Sequence, residues 1–564
     1  MSKPSLQSIL LVILLIIPIG LTGCRAEKTT TEEISSSLPN WRPIIPEGSL
    51  KLLEYTTSSY QSFHKSAYTF AISLHDQPVG ELLWDIRTLS TGDLAYYMRF
   101  TPVPSEHALT AQNAEKSIEI VLPIRLHGTY DQHYLTYPEV LSQEHATWAH
   151  TRITVDHNKD APLPKASVWL SQPDDPDQTE HRVGSLHPGD RELPPQPETL
   201  APPSTILEPR EVFLSLVDVF RPLGRNVVEE MYDLSPAFYP REDGLSLTVP
   251  LTPGYDLEHW GVLSTGTLVD WTDQTALTDL RTADLNRIRK WGPSGQRYVT
   301  PESYEPSSER GFYLNPAQHI GALFLVTEAK GRFFTDFLEL ALMNAVETQN
   351  DAGYWTMTQR SNWLYHDYGI DGGYYDTRFS TDAATFLAKA YLRSSDPVLL
   401  QAARRYRNFL IDFANDHHHQ TTNGGWFIYD YGHPEHPDTP THTSLNHQLS
   451  EINFLLEMEK IENTSAATAL ITRALQAISD TAAEWEKEDH DLAYAFYPDG
   501  SFGGQDYPLL TLKDLRTTRA FLQDLTQFKT PEAFDTPLFH DLTYIDHLIA
   551  IKTAYLKSKN LPLY

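Results

Sequence analysis

The spacing of apolar residues changes part-way along this 564-residue chain, and that change constrains the fold more than any other feature. Between about residues 48 and 175 the apolar side chains alternate. Leu82, Trp84 and Ile86 form one such set, Leu94, Tyr96, Met98 and Phe100 a second, and Ile118, Ile120, Leu122 and Ile124 a third. Period two puts one face of a strand in a core, and shorter runs at 151–155 and 166–170 extend the pattern. Several such strands separated by Gly, Pro and Asp predict an antiparallel β-sandwich or barrel. Residues 171–209 are rich in Pro, Asp, Glu and Gln, including Leu193-Pro194-Pro195 and Ala201-Pro202-Pro203, and read as a linker or long surface excursion. A helix is expected at 210–220, with strands around 246–249 and 260–268.

Beyond about residue 272 the period becomes helical. One helix is expected at 275–291. Helical pairs follow at 316–328 with 332–348, 381–393 with 397–414, 443–461 with 466–486, and 512–527 with 538–557. Asp396-Pro397 is a helix start, an Asp cap followed by Pro in the first turn. Corresponding points (Ala317, Ala383, Leu445, Leu515) recur at long, nearly regular intervals. The pairs carry aromatic turns: Gly353-Tyr354-Trp355, Gly425-Trp426-Phe427 and Ala495-Phe496-Tyr497. Turns in phase with helices should gather at one end of the array, as a saccharide cleft would. The expected fold class is α+β and multidomain: an N-terminal antiparallel β-sandwich or barrel, then an incomplete (α/α) toroid of about four helical hairpins.

The N-terminus reads as a secretory signal: Lys3, an apolar run from Ile9 to Ile17, then Leu21-Thr22-Gly23-Cys24. That ending is similar to a bacterial lipobox, which makes Cys24, the single cysteine of the chain, the expected lipidation site. The expectation is a lipid-anchored protein on the extracytoplasmic face of the cell membrane, with neither disulfides nor cysteine-ligated metal in the mature chain. The domain reading is a signal peptide over 1–23, a polar tether over 24–45, a β-rich domain with its Pro-rich end over 46–205, a connecting region over 206–271 and the helical array over 272–564. A net charge of −30, from 44 Lys and Arg against 74 Asp and Glu, argues against nucleic acid and against peripheral binding to anionic lipid. The 29 tyrosines and 11 tryptophans crowd into particular loops, which suits a polysaccharide or oligosaccharide partner.

Residues 424–459 place an aromatic and acidic run (Trp426, Phe427, Tyr429, Asp430, Tyr431) before a loop and then an apolar helix opening Leu445-Asn446-His447. This order resembles the C-terminal domain of the D-glucuronyl C5-epimerase family, which carries an acid-Tyr-Pro turn before a Leu-Asn-Gly helix start. The resemblance covers about residues 350–525. It implies proton abstraction and return at C5 of a uronate, with Asp430 and Tyr431 on the acid-Tyr turn and Tyr497 and Tyr507 as further catalytic candidates. It also makes Trp363, Tyr365, His366, Tyr374, Tyr375 and Arg378 cleft residues. Asp430 stands where the family has Glu, Pro498-Asp499-Gly500 where it has Asp-Leu-Arg, and Pro508 where a His commonly follows the last tyrosine.

The chemistry needs a base and an acid flanking the ring, and donors that neutralise the uronate carboxylate. Glu451, within the helix that starts at Leu445, is either a catalytic acid or a hydrogen-bonding residue of an inner helix. Trp355, Trp363, Tyr374, Arg378, Trp426, Tyr429, Asn446 and His447 are the expected substrate-binding residues, with His433, His436 and His442 as secondary cleft candidates. Asp371-Gly372-Gly373 with Asp376 offers clustered oxygens of the kind calcium takes, against a simpler reading as solvated turn acids. Asp416-His417-His418-His419 has metal-binding composition, against a helix-end loop reading. No metal or cofactor is expected. Two other readings remain open: a lyase or glycoside hydrolase, for which Asp430 with Asp376 or Glu451 would supply paired carboxyls, and a non-catalytic glycan-binding or envelope-assembly lipoprotein.

Overall fold

The computed structural model describes residues 27–28, 41–59, 64–103, 117–136, 147–155, 161–173, 209–241, 244–283, 289–315, 319–528 and 531–563. The expected signal peptide, Cys24, most of the tether and most of the Pro-rich segment therefore lie outside the described residues. No helix among the described residues is long and apolar enough to cross a membrane.

The chain is α+β. Strands Gly48–Ser59, His64–Leu74, Gln77–Thr88 and Leu94–Pro102 pair antiparallel in sequence order, and Asp256–Ser264 adds beside the fourth. The sheet continues through Asp218–Gly224, Val227–Glu230, Gly311–Asn315, Gly295–Val299 and Arg289–Gly292. A three-stranded sheet of Phe238–Arg241, Gly244–Pro250 and Ser117–Leu122 shares a core with it. That core holds all three alternating sets found in the sequence, from Leu82, Trp84 and Ile86 to Ile118, Ile120, Leu122 and Ile124.

Two boundaries differ from expectation. The segment expected as a helix at 210–220 forms strands Glu211–Leu214 and Asp218–Gly224, and the helix expected at 275–291 spans only Gln274–Ala283 before strand Arg289–Gly292. Glu211–Leu214 is buried at every position because it pairs on both sides, with Val168–Ser171 and Asp256–Ser264. A central strand of this kind shows no alternation and is easily mistaken for a buried helix. The sheet half therefore runs to about residue 315 and absorbs both the expected connecting region and the start of the expected helical domain.

Eleven α-helices are described: α1 (Gln274–Ala283), α2 (His319–Thr327), α3 (Arg332–Thr348), α4 (Asn362–Tyr368), α5 (Thr377–Ser394), α6 (Pro397–Asp416), α7 (Leu445–Glu462), α8 (Thr468–Asp480), α9 (Leu510–Gln523), α10 (Pro537–His540) and α11 (Thr543–Ser558). α2, α5, α7 and α9 pack one against the next, and α3, α6, α8 and α11 each pack against one of them as the second helix of a hairpin. Asp396 caps α6 through Val398 N (2.9 Å), with Pro397 in the first turn, as the sequence predicts. α7 is buried on nearly all sides, including its polar residues Asn446, His447, Gln448 and Glu451. The halves join through α3, whose Phe333 and Phe337 pack on Trp169, Phe213, Trp260 and Trp291 of the sheet half. Arg332 adds an ion pair to Asp93 (2.7 Å).

Candidate functional site

The connections between hairpins fold into small sheets at the N-terminal ends of α5 and α7. Strand Tyr374–Asp376 pairs with Thr356–Met357 on one side and Tyr431–Gly432 on the other, setting Asp376 opposite Tyr431. Thr443–Ser444 pairs with Ala493–Phe496, which pairs with Phe502–Gln505. Helix N-termini carry partial positive charge and unpaired N–H groups, which suits the acids found there.

Asp376 caps α5, accepting from Phe379 N at 2.9 Å. Asp430, completely buried, accepts from Ser444 N (3.0 Å to each oxygen) and Ser444 Oγ (2.6 Å) at the start of α7. Its backbone is fixed too, with Asp430 N donating to His442 O and Thr377 N donating to Asp430 O, both at 3.0 Å. Glu451 lies one turn along α7 from His447, and among the described residues neither of its carboxyl oxygens has a hydrogen bond of good geometry. The hydroxyl beside it, Thr377 Oγ1, lies 2.8 Å from His447 Nδ1. Burial raises all three acids: Asp376 to about 7, Glu451 to about 8, and Asp430 well above the carboxylate range, with the neighbouring acids adding to the shift. A carboxyl with such a pKa is a competent proton donor near neutrality.

Two histidines sit against Asp430. His442 Nε2 lies 3.4 Å from Asp430 Oδ2, and His447 Nδ1 lies 3.6 Å from Asp430 Oδ1. Burial lowers His442 to about 4 and His447 well below 6.5, so both are neutral imidazoles at physiological pH. His442 Nδ1 is 2.8 Å from the Tyr368 hydroxyl. Aromatic rings surround His442, with centroids at 5.5 Å for Trp363 and 5.7 Å for Tyr368, Tyr431, Tyr494 and Tyr497. Tyr374 stands 5.9 Å from Tyr431, and the exposed Tyr507 stands 6.0 Å from Tyr494. Tyr304 reaches in from the sheet half, with its phenol beside Tyr374 and Gln359 and within electrostatic reach of Asp376 and Tyr507. A hairpin-like contact of Tyr304–Glu305 with Arg360–Ser361 holds it there.

Of the residues proposed from sequence, Asp430, Tyr431, Tyr497, Tyr507, Glu451, Trp363, Tyr374 and His447 come together. Arg378 and Asn446 join as framework. Arg378 Nη1 donates to Asn446 O (2.9 Å) and Asp514 (2.6 Å), while Nε donates to Asp382 (3.0 Å), so one guanidinium ties α5, α7 and α9. Nη1 and Nε are thus held by two protein acids and a backbone carbonyl. Four expected cleft aromatics lie elsewhere. Tyr375 is buried in the helical core on Phe409 and Phe413, with its hydroxyl 2.9 Å from that of Tyr406. Trp355 is buried in the helical core and donates to Ala345 O (2.8 Å). Trp426 stacks on His418 (4.0 Å) under Arg473 (4.4 Å), and Tyr429 packs on His419 (4.6 Å). In the run from Trp426 to Tyr431, residues 426 and 429 pack with the His417–His419 segment while Asp430 turns to the start of α7. The aromatic turns thus split between core and site. Tyr304 and Tyr494 have no flanking motif that could mark them, and Tyr368 lies within the segment read as a cleft loop, between His366 and Tyr374, where nothing singles it out. His442 and Asp376 stand out in the sequence, but as a secondary cleft candidate and a cation ligand.

The cation candidates are engaged. Asp371 pairs with Arg225 through both oxygens, which holds its carboxyl down at about 2, and Asp376 is the α5 cap. His417 and His418 lie at hydrogen-bonding distance from the carbonyls of Phe413 and Ala414 at the end of α6, and His419 from Thr441 O. Among the described residues His433, Glu435 and His436 have ligand atoms within 4.8 Å of one another. His433, however, accepts from Glu435 N (3.1 Å) at Nδ1 and meets Gly372 O (3.3 Å) at Nε2, leaving no ring nitrogen for a metal.

No family model matches the chain, and no curated protein matches it in sequence. Solved structures give slight likenesses. The chain is 14% identical to cellobiose 2-epimerase from Spirochaeta thermophila, over 44% of this chain and 61% of that one, at a TM-score of 0.31. It is 14% identical to a family 76 glycoside hydrolase (mannosidase) from Bacteroides thetaiotaomicron, over 50% and 71%, at 0.33. A second family 76 glycoside hydrolase, from a bovine strain of that species, is 11% identical over 79% and 76%, at 0.35. The chain thus spans under two thirds of the cellobiose 2-epimerase.

Proposed function

We propose that this chain modifies a polysaccharide by proton transfer, as a uronate C5-epimerase relative, on an incomplete (α/α) toroid backed by a β-sandwich. The observation that carries the reading is the gathering of phenols around one neutral histidine, His442, with Asp430 against it and two further buried acids of raised pKa, Asp376 and Glu451, at the same helix ends. Removing the C5 proton of a uronate requires the adjacent carboxylate to be neutralised, and here protonated Asp376 and Glu451 would supply the hydrogen bonds in place of an arginine. Tyr507, exposed on its own loop, serves one face of the ring; the phenols around His442, Tyr431 among them, serve the other. Incubation with glucuronate- or mannuronate-containing polysaccharides in deuterated water should place deuterium at C5 without chain cleavage. Raised pKa values at Asp376 and Glu451 also suit a glycoside hydrolase with one acid protonated. A new reducing end without deuterium at C5 would establish that reading, and an unsaturated product would indicate a lyase. Glycan binding with neither exchange nor cleavage would leave a binding protein.

The proposal includes lipid attachment at Cys24, supported by the lipobox-like ending and the polar residues after it. A fatty-acid analogue should label the wild type, and equal labelling of Cys24→Ala would exclude that attachment.

A further inference from the structure

The acid-Tyr pair read from the sequence implies that Asp430 tunes Tyr431. The geometry points to a different partner: Tyr368 is the phenol that exchanges a proton with the substrate, and His442 relays that proton to Asp430. This inference rests on the proton-transfer reading and names a catalytic residue within it. Three placements support it. The Tyr368 hydroxyl lies 2.8 Å from His442 Nδ1. On the far side of the ring His442 Nε2 lies 3.4 Å from Asp430 Oδ2, and this buried nitrogen has no hydrogen-bond partner of good geometry among the described residues. Tyr368 itself is only half-buried, at the end of α4, while Asp430 is completely enclosed. One end of the line therefore reaches solvent and the other does not. Among the described residues the Tyr431 hydroxyl makes no such contact; its ring packs on Trp363, Tyr374, His442 and His447.

The relay balances. The Tyr368 O–H bond breaks and its proton passes to His442 Nδ1, while the Nε2 proton passes to a carboxylate oxygen of Asp430. The imidazole is neutral before and after, having exchanged tautomers, and Asp430 becomes a neutral acid. The phenolate then takes the C5 proton, and the electron pair of the C–H bond moves into the substrate carboxylate. Tyr507 returns a proton to the opposite face and is reprotonated from water. Tyr368 then releases the C5 proton to water and takes the Nδ1 proton of His442, while His442 Nε2 takes the proton back from Asp430, which restores all three groups. The lowered pKa of His442 suits a relay that never stores charge on the ring. Burial favours the protonated form of Asp430, so the relay runs from its ionised form, whose oxygens accept from Ser444 N and Ser444 Oγ. The 3.4 Å between Nε2 and Oδ2 is a separation that a small shift on substrate binding brings to hydrogen-bonding distance. Asp367, Tyr497 and Asp430 are the other titratable groups that bear on Tyr368.

The test uses the full chain and uronan in deuterated water. Tyr368→Phe removes one hydroxyl and should lower C5 exchange by at least ~100-fold while KM stays within about threefold. If the wild type exchanges and Tyr368→Phe retains exchange within about fivefold, the relay is wrong while the proton-transfer reading stands. A second readout needs no substrate. With 15N-labelled histidine, and the His442 signals assigned by their loss in His442→Gln, His442 at pH 7 should be a neutral ring. Its Nδ1 shift should move in Tyr368→Phe. A doubly protonated ring, or an Nδ1 shift that is unmoved in Tyr368→Phe, overturns the relay. If the wild type exchanges with no uronan, the proposed function fails and this readout alone decides whether the proton path exists.

Discussion

Replacing Lys552 with methionine should destabilise the helical half through two carboxylates that lose the one cation paired with them among the described residues. Lys552 on α11 is fully buried, with Nζ 2.8 Å from Asp491 Oδ1 and 2.7 Å from Asp506 Oδ2, and both acids are buried as well. Asp491 also accepts from Leu492 N (2.8 Å) and Asp506 from Thr511 Oγ1 (2.7 Å), but Asp506 Oδ2 has no partner besides the ammonium. Methionine fills nearly the same volume, so the loss of packing is small and the effect is electrostatic. Two ion pairs at this separation are worth ~6 kcal/mol each in gross attraction at an effective dielectric of 20, most of which offsets desolvation. Removing one member strands the others, at a cost of ~3–5 kcal/mol.

Urea unfolding followed by far-UV circular dichroism measures this directly. The acids also set its pH dependence. Burial raises the Asp506 carboxyl in the folded chain, and without Lys552 it rises further. A raised acid binds its proton in the native state at pH values where the unfolded chain has released it, so stability recovers as pH falls through that window. The deficit of Lys552→Met should therefore shrink between pH 7 and 5, and adding Asp506→Asn should restore part of it. A loss below ~1 kcal/mol at pH 7, or one unchanged at pH 5, would refute the argument.

Glu451→Gln should be more stable than the wild type at pH 8 and converge with it toward pH 5. Folded Glu451 titrates at about 8 against an ordinary 4.5, a gap worth ~4–5 kcal/mol at most, and urea midpoints that differ equally at both pH values would contradict it. Trp355→Phe should cost ~1–3 kcal/mol through the lost indole bond to Ala345 O and the space left behind, while glycan affinity stays unchanged. A fall in affinity without loss of stability would return Trp355 to the cleft. Trp426→Ala should likewise leave glycan affinity intact, measured by calorimetry, because its ring is occupied by His418 and Arg473.

By itself the sequence determined the local elements and their order. Alternation set Leu82, Trp84 and Ile86 facing one core, Asp396-Pro397 started α6, and the aromatic-acidic run was recognisable as a turn before α7. These are effects of neighbours in the chain, which spacing records. It misassigned Glu211–Leu214, because a strand paired on both sides carries no period to read. Only the tertiary structure decided which aromatics face the site. Trp355 and Trp363 have the same composition signal, yet one donates to a helix carbonyl in the core and the other packs on His442. Only the fold, too, brought Tyr304 from the sheet half to Tyr374, set Asp376 against Tyr431, and directed the Arg378 guanidinium to Asp514, 136 residues away. A buried polar group must find its partner somewhere, but its own neighbours in sequence do not say where. That choice belongs to the packing of whole helices, and the chemistry of the site follows from it.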